Sequence, residues 1–540
     1  MTNKEIAKVF DFYSKLLILH EANSFKVRSY QNSYNTIRQI SDDLIDMNVP
    51  ELMAIPGIGK SIAARIVELK EKNTFEDLND ILDITPKGIV EMMKIKGIGP
   101  KKIRLIWKEL GVESLGELEY AINENRLTLL KGFGKKTQEN ILAQIEFLNS
   151  VKGFLVIDKA ERISEELLKK LRAVFTDEKF EITGDLRRSM PIISRIEILT
   201  TIEKEKIFLE LSNIFDLEGN KHTYKGVEIL FLFALECDFF NVLFKKTGPE
   251  YFVDLLIEKH VDSEEQLFIS NNMTYVPPVF RDAIHTKKDA EEFYLNDFVE
   301  VQDIRGVIHN HTIWSDGANS ILEMANYYKD KGYEYMVVTD HSKSAFYANG
   351  VRIDQMDYYL DDIKNANKSI SDFTIFSGIE SDILIDGNLD YREDILVRFD
   401  LVIASVHSVL RMDKDKATER LLVAIKNPYT KILGHMTGRI LLAREGYPLD
   451  YNRIFEACAK HNVAIELNAN PHRLDIDWSL IRRAQEFGIG ISINPDAHNK
   501  TEVEYLKYGV LMAQKGKLLK SNCINIKNVE EFKVWLEKSA

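Results

Sequence analysis

Short apolar runs alternate with longer amphipathic stretches between residues 305 and 499 of this chain. The seven apolar runs occupy 307–308, 336–338, 374–376, 401–403, 432–433, 463–465 and 489–493. Between them, apolar residues recur at helical spacing in 322–331, 355–365, 417–426, 451–461 and 479–487. This alternation predicts strands joined by helices, which is typical of a parallel (β/α) barrel.

Polar side chains follow each of the seven runs, with Glu466 and Asn468 after the sixth. Nine of these side chains are candidate metal ligands, namely His309, His311, Asp316, His341, Glu380, His407, His435, Asp496 and His498. Because the carboxyl ends of barrel strands meet at one face, we expect the nine to converge there. A set of purely structural histidines would not be placed at the same end of every strand.

The types of donor indicate which ions the face would hold. Imidazoles and carboxylates together favour Mn²⁺, Zn²⁺ or Fe²⁺, whereas oxygen donors alone would favour Mg²⁺ or Ca²⁺. Nine donors exceed the needs of one tetrahedral site, so we expect about two or three divalent ions, with Mn²⁺ favoured. Ions about 4 Å apart stabilise both the attacking and the leaving oxygen of a phosphoryl group. The pattern therefore predicts a metal-dependent hydrolase of phosphate esters.

The first 150 residues show a helical pattern that is interrupted three times by a Gly-x-Gly turn followed by lysine. The residues are Gly57, Gly59 and Lys60; Gly97, Gly99, Lys101 and Lys102; and Gly132, Gly134, Lys135 and Lys136. Glycine permits a tight turn whose backbone N–H groups, at the start of the next helix, point outward toward an anion. With the lysines they would form a phosphate clamp that does not depend on base sequence, so we expect DNA contact here.

Bulk properties narrow the remaining possibilities. The 540 residues are too many for one core, and the net charge of −13 restricts any nucleic-acid contact to local patches. Three cysteines without metal or disulfide spacing fit a reducing cytoplasm. The longest apolar run, 229–235, is too short to cross a bilayer, so no membrane association is expected.

At its motifs the barrel resembles the polymerase and histidinol phosphatase (PHP) domain family, from about residue 303 to 540. The resemblance lies in the His-x-His at 309–311 and in 339–342, 378–383, 405–408, 434–439 and 494–498. It implies a three-metal phosphoesterase that uses the nine ligand positions. Asp340 is a candidate for orienting a histidine, and Arg439, with Arg411 less favoured, is a candidate for contacting substrate phosphate.

The Gly-x-Gly turns resemble helix-hairpin-helix motifs, and residues 10–44 are similar to the small amino-terminal domain of family X DNA polymerases. In relatives with deoxyribose-phosphate lyase activity a lysine follows the first hairpin, whereas this chain has Arg65 there. An arginine stays protonated and cannot form a Schiff base, so lyase activity is not expected.

Residues 151–300 resemble the palm and thumb of family X, with the thumb ending near 263–278 and 282–303 leading into the barrel. Six palm positions stand out, namely Gly184, Asp185, Arg188, Arg195, Glu197 and Glu228. Where the family has three aspartates that hold two Mg²⁺ ions, this chain has Arg195, Glu197 and Glu228. Arginine repels a cation, and Asp185 replaces a serine that faces phosphate. We expect a degenerate polymerase site in which the Arg195 guanidinium lies between the two glutamates.

The predicted fold is multidomain: a helical helix-hairpin-helix region (1–150), an α+β nucleotidyltransferase-like palm and thumb (151–300), and a distorted (β/α)7 barrel (301–540). The predicted activity is metal-dependent 3′→5′ hydrolysis at DNA 3′ ends, gapped or nicked, in repair. The chain is expected to act as a monomer. Two alternatives stay open: a gap-filling polymerase that uses the glutamates, and a small-molecule phosphatase of the histidinol-phosphate phosphatase type.

Overall fold

The computed structural model describes residues 1–40, 43–123, 126–150, 153–210, 215–218, 221–257, 259 and 261–538. The chain divides into two compact units, residues 1–152 and 153–540. Within the described residues, no helix has the length and apolar character needed to cross a membrane.

The first unit is helical. Its helices are α1 (Asn3–Leu19), α2 (Ser24–Ile37), α3 (Val49–Met53), α4 (Lys60–Lys72), α5 (Glu76–Asp83), α6 (Lys87–Met92), α7 (Pro100–Leu110), α8 (Leu115–Asn123) and α9 (Lys135–Ser150). The first begins with a capping box, in which Thr2 and Glu5 satisfy each other's backbone N–H groups. Buried aromatic rings join α1 and α2 to α5: Tyr13 packs edge-on against Tyr30 and Phe75.

The second unit begins with an α+β region that corresponds to the predicted palm and thumb. Its elements are β1 (Leu155–Val156), α10 (Ile157–Val174), β2 (Phe180–Thr183), α11 (Gly184–Arg187), β3 (Ile192–Ile193), β4 (Ile196–Thr200), α12 (Lys204–Glu210), β5 (Asp216–Glu218), β6 (Lys221–Tyr224), β7 (Val227–Phe233), α13 (Phe239–Thr247), α14 (Glu250–Val253), α15 (Glu264–Ser270) and α16 (Lys287–Glu291). The main sheet has the strand order β2-β4-β7-β6-β5. The segments that carry Gly184, Glu197 and Glu228 therefore lie on neighbouring strands or at their ends.

The barrel follows. Its elements are β8 (Gly306–Asn310), α17 (Ile321–Asp330), β9 (Tyr335–Val338), α18 (Met356–Ser369), β10 (Thr374–Asp382), α19 (Glu393–Leu396), β11 (Leu401–Ser405), α20 (Lys414–Ile425), β12 (Thr430–Leu433), α21 (Tyr451–His461), β13 (Ala464–Asn468), α22 (Trp478–Glu486), β14 (Ile491–Asn494), α23 (Leu506–Lys515) and α24 (Val529–Lys538). The strands are parallel and neighbours in chain order. A bridge between Asn310 and Ala497 nearly closes the sheet between β14 and β8. The predicted (β/α)7 barrel is confirmed.

One strand differs from its predicted extent. The apolar run at 374–376 predicts a short strand, whereas β10 continues to Asp382. Its first half pairs with β9 and its second half with β11, because the strand crosses from one neighbour to the next. The polar end of β10 is thereby held in the sheet, which fixes Glu380 at the centre of the carboxyl face.

The palm and the barrel belong to the same compact unit rather than to two separate ones. Apolar residues of both regions form one continuous buried cluster. A buried ion pair also joins them: Lys515 of α23 contacts the Asp282 carboxylate and donates to the carbonyl of Arg188 at 2.9 Å. Residues on both sides of the predicted boundary near residue 300 therefore contribute to one core.

Candidate metal centre

The nine predicted ligands come together at the carboxyl ends of the barrel strands. Eight of them form three groups whose donor atoms lie within 4.8 Å of one another: His311, Asp316, His341 and His498; His309, His311 and Asp496; and His341, Glu380 and His407. The ninth, His435, has its Nε2 atom 3.0 Å from Glu380 Oε1. His311 and His341 each belong to two groups, so the three groups form one continuous cluster.

Glu380 is the central carboxylate of this cluster. Its oxygens lie 3.3 Å from His309 Nε2, 2.8 Å from His341 Nδ1 and 3.2 Å from His407 Nε2. Burial opposes ionisation, but the imidazoles of His407 and His309 outweigh it and hold the pKa of this carboxyl well below its usual range. Glu380 is therefore an ionised acceptor surrounded by imidazoles.

The backbone is strained where it presents some of these side chains. His309 has φ +67° and Asp496 has φ +53°, in the left-handed region that residues other than glycine rarely adopt. The register of β8 against β9 also shifts between Val307 and Asn310, so an extra residue bulges beside His309. Each such conformation costs about 1–3 kcal/mol and persists where the surrounding structure holds it. Bulges of this kind redirect side chains next to functional sites.

Carboxylates behind the cluster orient two of the imidazoles. Glu466 Oε1 lies 2.5 Å from His309 Nδ1, and Asp382 contacts His407 Nδ1. Each contact leaves the Nε2 atom directed at the centre, which is the arrangement that metal-binding histidines adopt in proteins. Glu466 appeared in the sequence only as a polar strand end. Its position at the polar end of β13, in line with the other strand ends, was the available signal.

The imidazoles differ in charge because their surroundings differ. Burial lowers the pKa of His311 to about 3, and the neighbouring His341 and His498 add to this effect. Burial also acts on His407, but the carboxylates of Glu380 and Asp382 outweigh it and raise the pKa to about 10. Without metal, protons on some of the imidazoles thus supply the positive charge that balances the buried carboxylates. Bound divalent cations would supply the same positive charge.

The centre fits divalent cations. Among the described residues, several of its buried polar atoms make no hydrogen bond: His309 Nε2, His311 Nδ1, His435 Nδ1 and Asp316 Oδ1. Buried polar atoms are rarely left in this state, and a cluster of them fits a site whose donors can bind ions. Mixed nitrogen and oxygen donors suit Mn²⁺, Zn²⁺ or Fe²⁺.

Asp340 and Arg439 lie beside the cluster and hold loops. Asp340 is fully buried and accepts hydrogen bonds from the Thr312 backbone N–H at 2.7 Å and from the Ser315 hydroxyl at 2.5 Å. Arg439 donates to Asp477 at 2.8 Å and to the carbonyls of Arg473 and Leu474. The Asp340 contacts fix the loop that carries Asp316, and the Arg439 contacts fix the loop at 473–477.

The Arg473 guanidinium faces the centre, although no pattern in the sequence predicted it. Its Nε lies 3.5 Å from Asp496 Oδ2, and its side chain is 20% exposed. Together with burial, its charge lowers the pKa of His435. The residue sits on an irregular loop after β13, where no periodic pattern indicates which way a side chain points.

The palm residues pair with cations of the same chain. Arg195 Nε lies 2.8 Å from Glu197 Oε1, and Lys221 Nζ lies 2.5 Å from Glu228 Oε2. The predicted Arg195 contact is thus present on Glu197, whereas Glu228 contacts Lys221. Gly184 has φ +64°, and a Cβ there would lie 2.8 Å from Glu197 Oε2, so the glycine turn and this carboxylate are packed together.

Arg188, another of the six palm positions, is also engaged internally. It lies 2.6 Å from Asp185 Oδ1 and 3.2 Å from both oxygens of Asp282, and it donates to the carbonyl of Thr247. Its side chain is only 12% exposed. An incoming nucleoside triphosphate would have to displace the carboxylates of Asp185 and Asp282 to reach the Arg188 guanidinium.

The three Gly-x-Gly turns of the first unit have a common form. Each middle residue is buried, namely Ile58, Ile98 and Phe133, which anchors the turn to the helical core. Gly97 has φ +93°, and Gly99, which precedes the first residue of α7, has an extended backbone that any residue adopts. A Cβ at Gly99 would meet no atom within 4 Å, so packing does not require glycine there. The open space suits close approach of an outside backbone.

The lysines that follow these turns lie at the starts of α4, α7 and α9. Lys60, Lys101, Lys135 and Lys136 are exposed, and Lys102 packs its ammonium 5.2 Å from the Phe133 ring centre. The second and third turns are therefore neighbours. Their N-terminal helix ends and lysines form adjacent positive positions.

Comparison with known proteins agrees with these sites. A helix-hairpin-helix domain family matches residues 1–75, a SAM-like helix-hairpin-helix tandem family matches 89–146, and the PHP domain family matches 308–470. Asp496 and His498 lie beyond that last match, yet the structure brings both into the cluster.

Curated relatives fall into two kinds. A probable phosphatase of Caldanaerobacter subterraneus is 32% identical over 35% of this chain and 74% of its own length, and one of Vibrio atlanticus is 30% identical over 35% and 76%. The DNA polymerase/3′-5′ exonuclease PolX of Bacillus subtilis is 31% identical over the full length of both chains. The chain therefore belongs to the family of X-type DNA polymerases that carry helix-hairpin-helix domains and a carboxyl-terminal PHP domain.

Proposed function

We propose that this protein hydrolyses phosphodiester bonds at DNA 3′ ends in DNA repair, as a 3′→5′ exonuclease that depends on divalent cations, and that its palm does not polymerise. The cluster of buried donors without hydrogen bonds in the barrel carries the proposal. The hairpin lysines support DNA as the substrate, and the similarity to a polymerase/exonuclease over the full length agrees.

Different residues of the chain bind the cations, orient the histidines and contact the substrate phosphate. Bound divalent cations supply the charge that stabilises the attacking and leaving oxygens. Glu466 and Asp382 hold His309 and His407 with Nε2 facing the centre, so these donors are oriented before substrate arrives. Arg473, beside Asp496 and still partly exposed, is placed to donate to a phosphate oxygen of the substrate.

The reaction is tested with an oligonucleotide that carries a 5′ label and has a recessed or single-stranded 3′ end. We expect the wild-type protein with Mn²⁺ to shorten it stepwise from the 3′ end, chelator to stop the reaction, and His341→Ala to abolish it. Equal degradation by the wild type and His341→Ala would contradict the assignment.

A phosphatase function is the second candidate, because the relatives that match only the barrel are named probable phosphatases. Competition decides between the two. A phosphorylated metabolite in large excess leaves DNA degradation unchanged if the exonuclease proposal holds, and a metabolite that is hydrolysed faster than DNA ends would favour the phosphatase.

The polymerase alternative is tested by primer extension on a gapped duplex with Mg²⁺ or Mn²⁺. The ion pairs of Glu197 and Glu228 with Arg195 and Lys221 support the expectation of no extension. Extension by the wild-type protein would overturn this part of the proposal.

A further inference from the structure

An unusual apolar side chain lies close to the metal centre in the chain. Phe346 is 86% exposed, the highest value for a large apolar residue in the described part of the chain. It belongs to the loop after β9, five residues beyond His341. Phe346 comes two residues after Ser344, whose hydroxyl contacts Asp382 beside His407, so its backbone lies within about 7 Å of a residue at the edge of the cluster.

The loop that carries Phe346 is firmly built. Ala345 and Ala348 on either side of the ring are fully buried. The Ser344 hydroxyl donates to Asp382 Oδ2 at 2.6 Å, and the Val351 N–H donates to the His341 carbonyl at 2.8 Å. The loop is therefore tied to Asp382, which orients His407. Its hydrogen bonds keep the phenyl ring exposed to water. An exposed apolar ring contributes no burial free energy to the fold.

Phe346 does not stand by itself. The loops after the neighbouring strands β8, β10 and β11 expose Ile313, Ile385 and Val409 by 58%, 72% and 52%. Ile313 and Val409 each come two residues after a candidate ligand, which places them within about 7 Å of His311 and His407 along the backbone. The four loops that follow consecutive strands, at the end of the barrel that carries the ligands, thus each expose an apolar side chain, and apolar groups exposed beside a site are typical of binding surfaces.

The proposed substrate identifies what meets this surface. Six of the nine donors are buried and the other three are partly exposed, so a scissile phosphate has to descend into the cluster while its nucleobases remain at the mouth. An unpaired base there has lost its stacking neighbours, and an exposed aromatic ring replaces them without regard to base identity. Because each base is linked covalently to the backbone, a base next to the scissile phosphate has to lie close to the mouth.

We propose, on the basis of the proposed exonuclease function, that Phe346 stacks on an unpaired nucleobase within the last three nucleotides of the 3′ strand. The apolar groups at the mouth are then the surface that favours single-stranded or frayed 3′ ends over paired ones. Phe346 thus determines the preference for single-stranded 3′ ends, and the metal centre hydrolyses the phosphodiester bond without it.

The test uses matched substrates with and without bases. Phe346→Ala should lower kcat/KM on single-stranded 3′ ends about tenfold, within the range known for loss of base stacking. Phe346→Trp should keep the wild-type rate. When one abasic residue is placed in turn at each of the last three positions, one position should make the wild type and Phe346→Ala equally slow. Val397→Ala, 61% exposed on a loop that precedes β11, is the control and should change nothing.

Hydrolysis of a small phosphodiester, bis(p-nitrophenyl) phosphate, should be unaffected by Phe346→Ala. A loss on this compound, or an equal loss on normal and all abasic DNA ends, would show a structural role and overturn the proposal. Unchanged rates of Phe346→Ala on every DNA end would also overturn it.

A second readout does not depend on hydrolysis. 2-Aminopurine is placed at each of the last three positions and its fluorescence is followed on binding, with chelator present. The wild type and Phe346→Trp should change the signal at one position, and Phe346→Ala should not. If the protein failed to hydrolyse DNA at all, this signal would still decide the stacking proposal, since identical signals for wild type and Phe346→Ala would refute it.

Discussion

In the barrel, Glu380 contacts four imidazoles at 2.8 to 3.3 Å and neighbouring donor atoms keep free lone pairs, whereas in the palm each glutamate contacts a lysine or arginine of the same chain. Both places gather charge on neighbouring strands. The palm balances its carboxylates internally, and the barrel leaves donors for cations from outside. The difference shows that a metal site is recognised by unsatisfied donors rather than by acidic residues alone.

The largest expected effect comes from the central carboxylate. Glu380→Gln removes the charge that faces the imidazoles, so hydrolysis of 3′ ends should fall by more than about 100-fold, beyond the range for residues that only orient ligands. Rates on a labelled oligonucleotide measure it. Glu419→Gln, an exposed residue of α20 that pairs with Arg453, is the matched control and should behave as the wild type. A Glu380→Gln protein with normal activity would remove the distinction between the two sites.

Glu466→Gln should have the next largest effect. The carboxylate that holds His309 becomes a neutral amide, and metal affinity should fall about 10- to 100-fold. Titration of the hydrolysis rate with Mn²⁺ measures the shift, and saturating Mn²⁺ should restore most of the rate. A loss that no metal concentration repairs would mean that Glu466 has another task.

Substitutions in the palm can leave its glutamates without a cation of the same chain, as the donors of the barrel are. In a Glu380→Gln background, Arg195→Asp with Lys221→Ala removes both internal cations, and the palm should then bind a divalent ion with a Kd of about 10⁻⁴ to 10⁻³ M, typical of weak oxygen sites. Calorimetric titration with Mn²⁺ against the Glu380→Gln parent detects it. No gain of binding would show that internal pairing is not what keeps ions out of the palm.

Substitution of the two arginines beside the centre should affect different properties of the protein. Arg473→Ala should raise KM for DNA ends about tenfold, the scale of one charge-assisted hydrogen bond. Arg439→Ala should instead lower the free energy of unfolding by about 1–3 kcal/mol, because the loop at 473–477 loses its donors. Steady-state kinetics and urea unfolding of both variants distinguish these roles, and the reverse pattern would restore Arg439 as the residue that contacts phosphate.

The smallest effect is expected at the hairpins. Lys101→Ala with Lys135→Ala should weaken DNA binding uniformly across sequences and reduce the slope of log K against log salt by about one unit per lysine. Fluorescence anisotropy at several salt concentrations gives the slope. An unchanged slope would mean that these lysines do not contact phosphate.

The barrel was predictable because its signal repeats: seven strands end in polar side chains, and parallel strands share one face. The exact length of β10 was not, since it depends on pairing with two different neighbours. Arg473 was missed because its loop follows no periodic pattern. The Lys221 contact with Glu228 had a signal in the sequence, a two-residue turn at Lys225 and Gly226 between two short strands, which brings the two side chains together.

The most direct test of the account is the number of Mn²⁺ ions bound per chain after equilibrium dialysis, counted by plasma mass spectrometry. We expect about two or three ions on the wild-type protein and at least one fewer on Glu380→Gln. A wild-type protein that binds none, or a Glu380→Gln variant that keeps the full number, would contradict a metal centre built around this carboxylate.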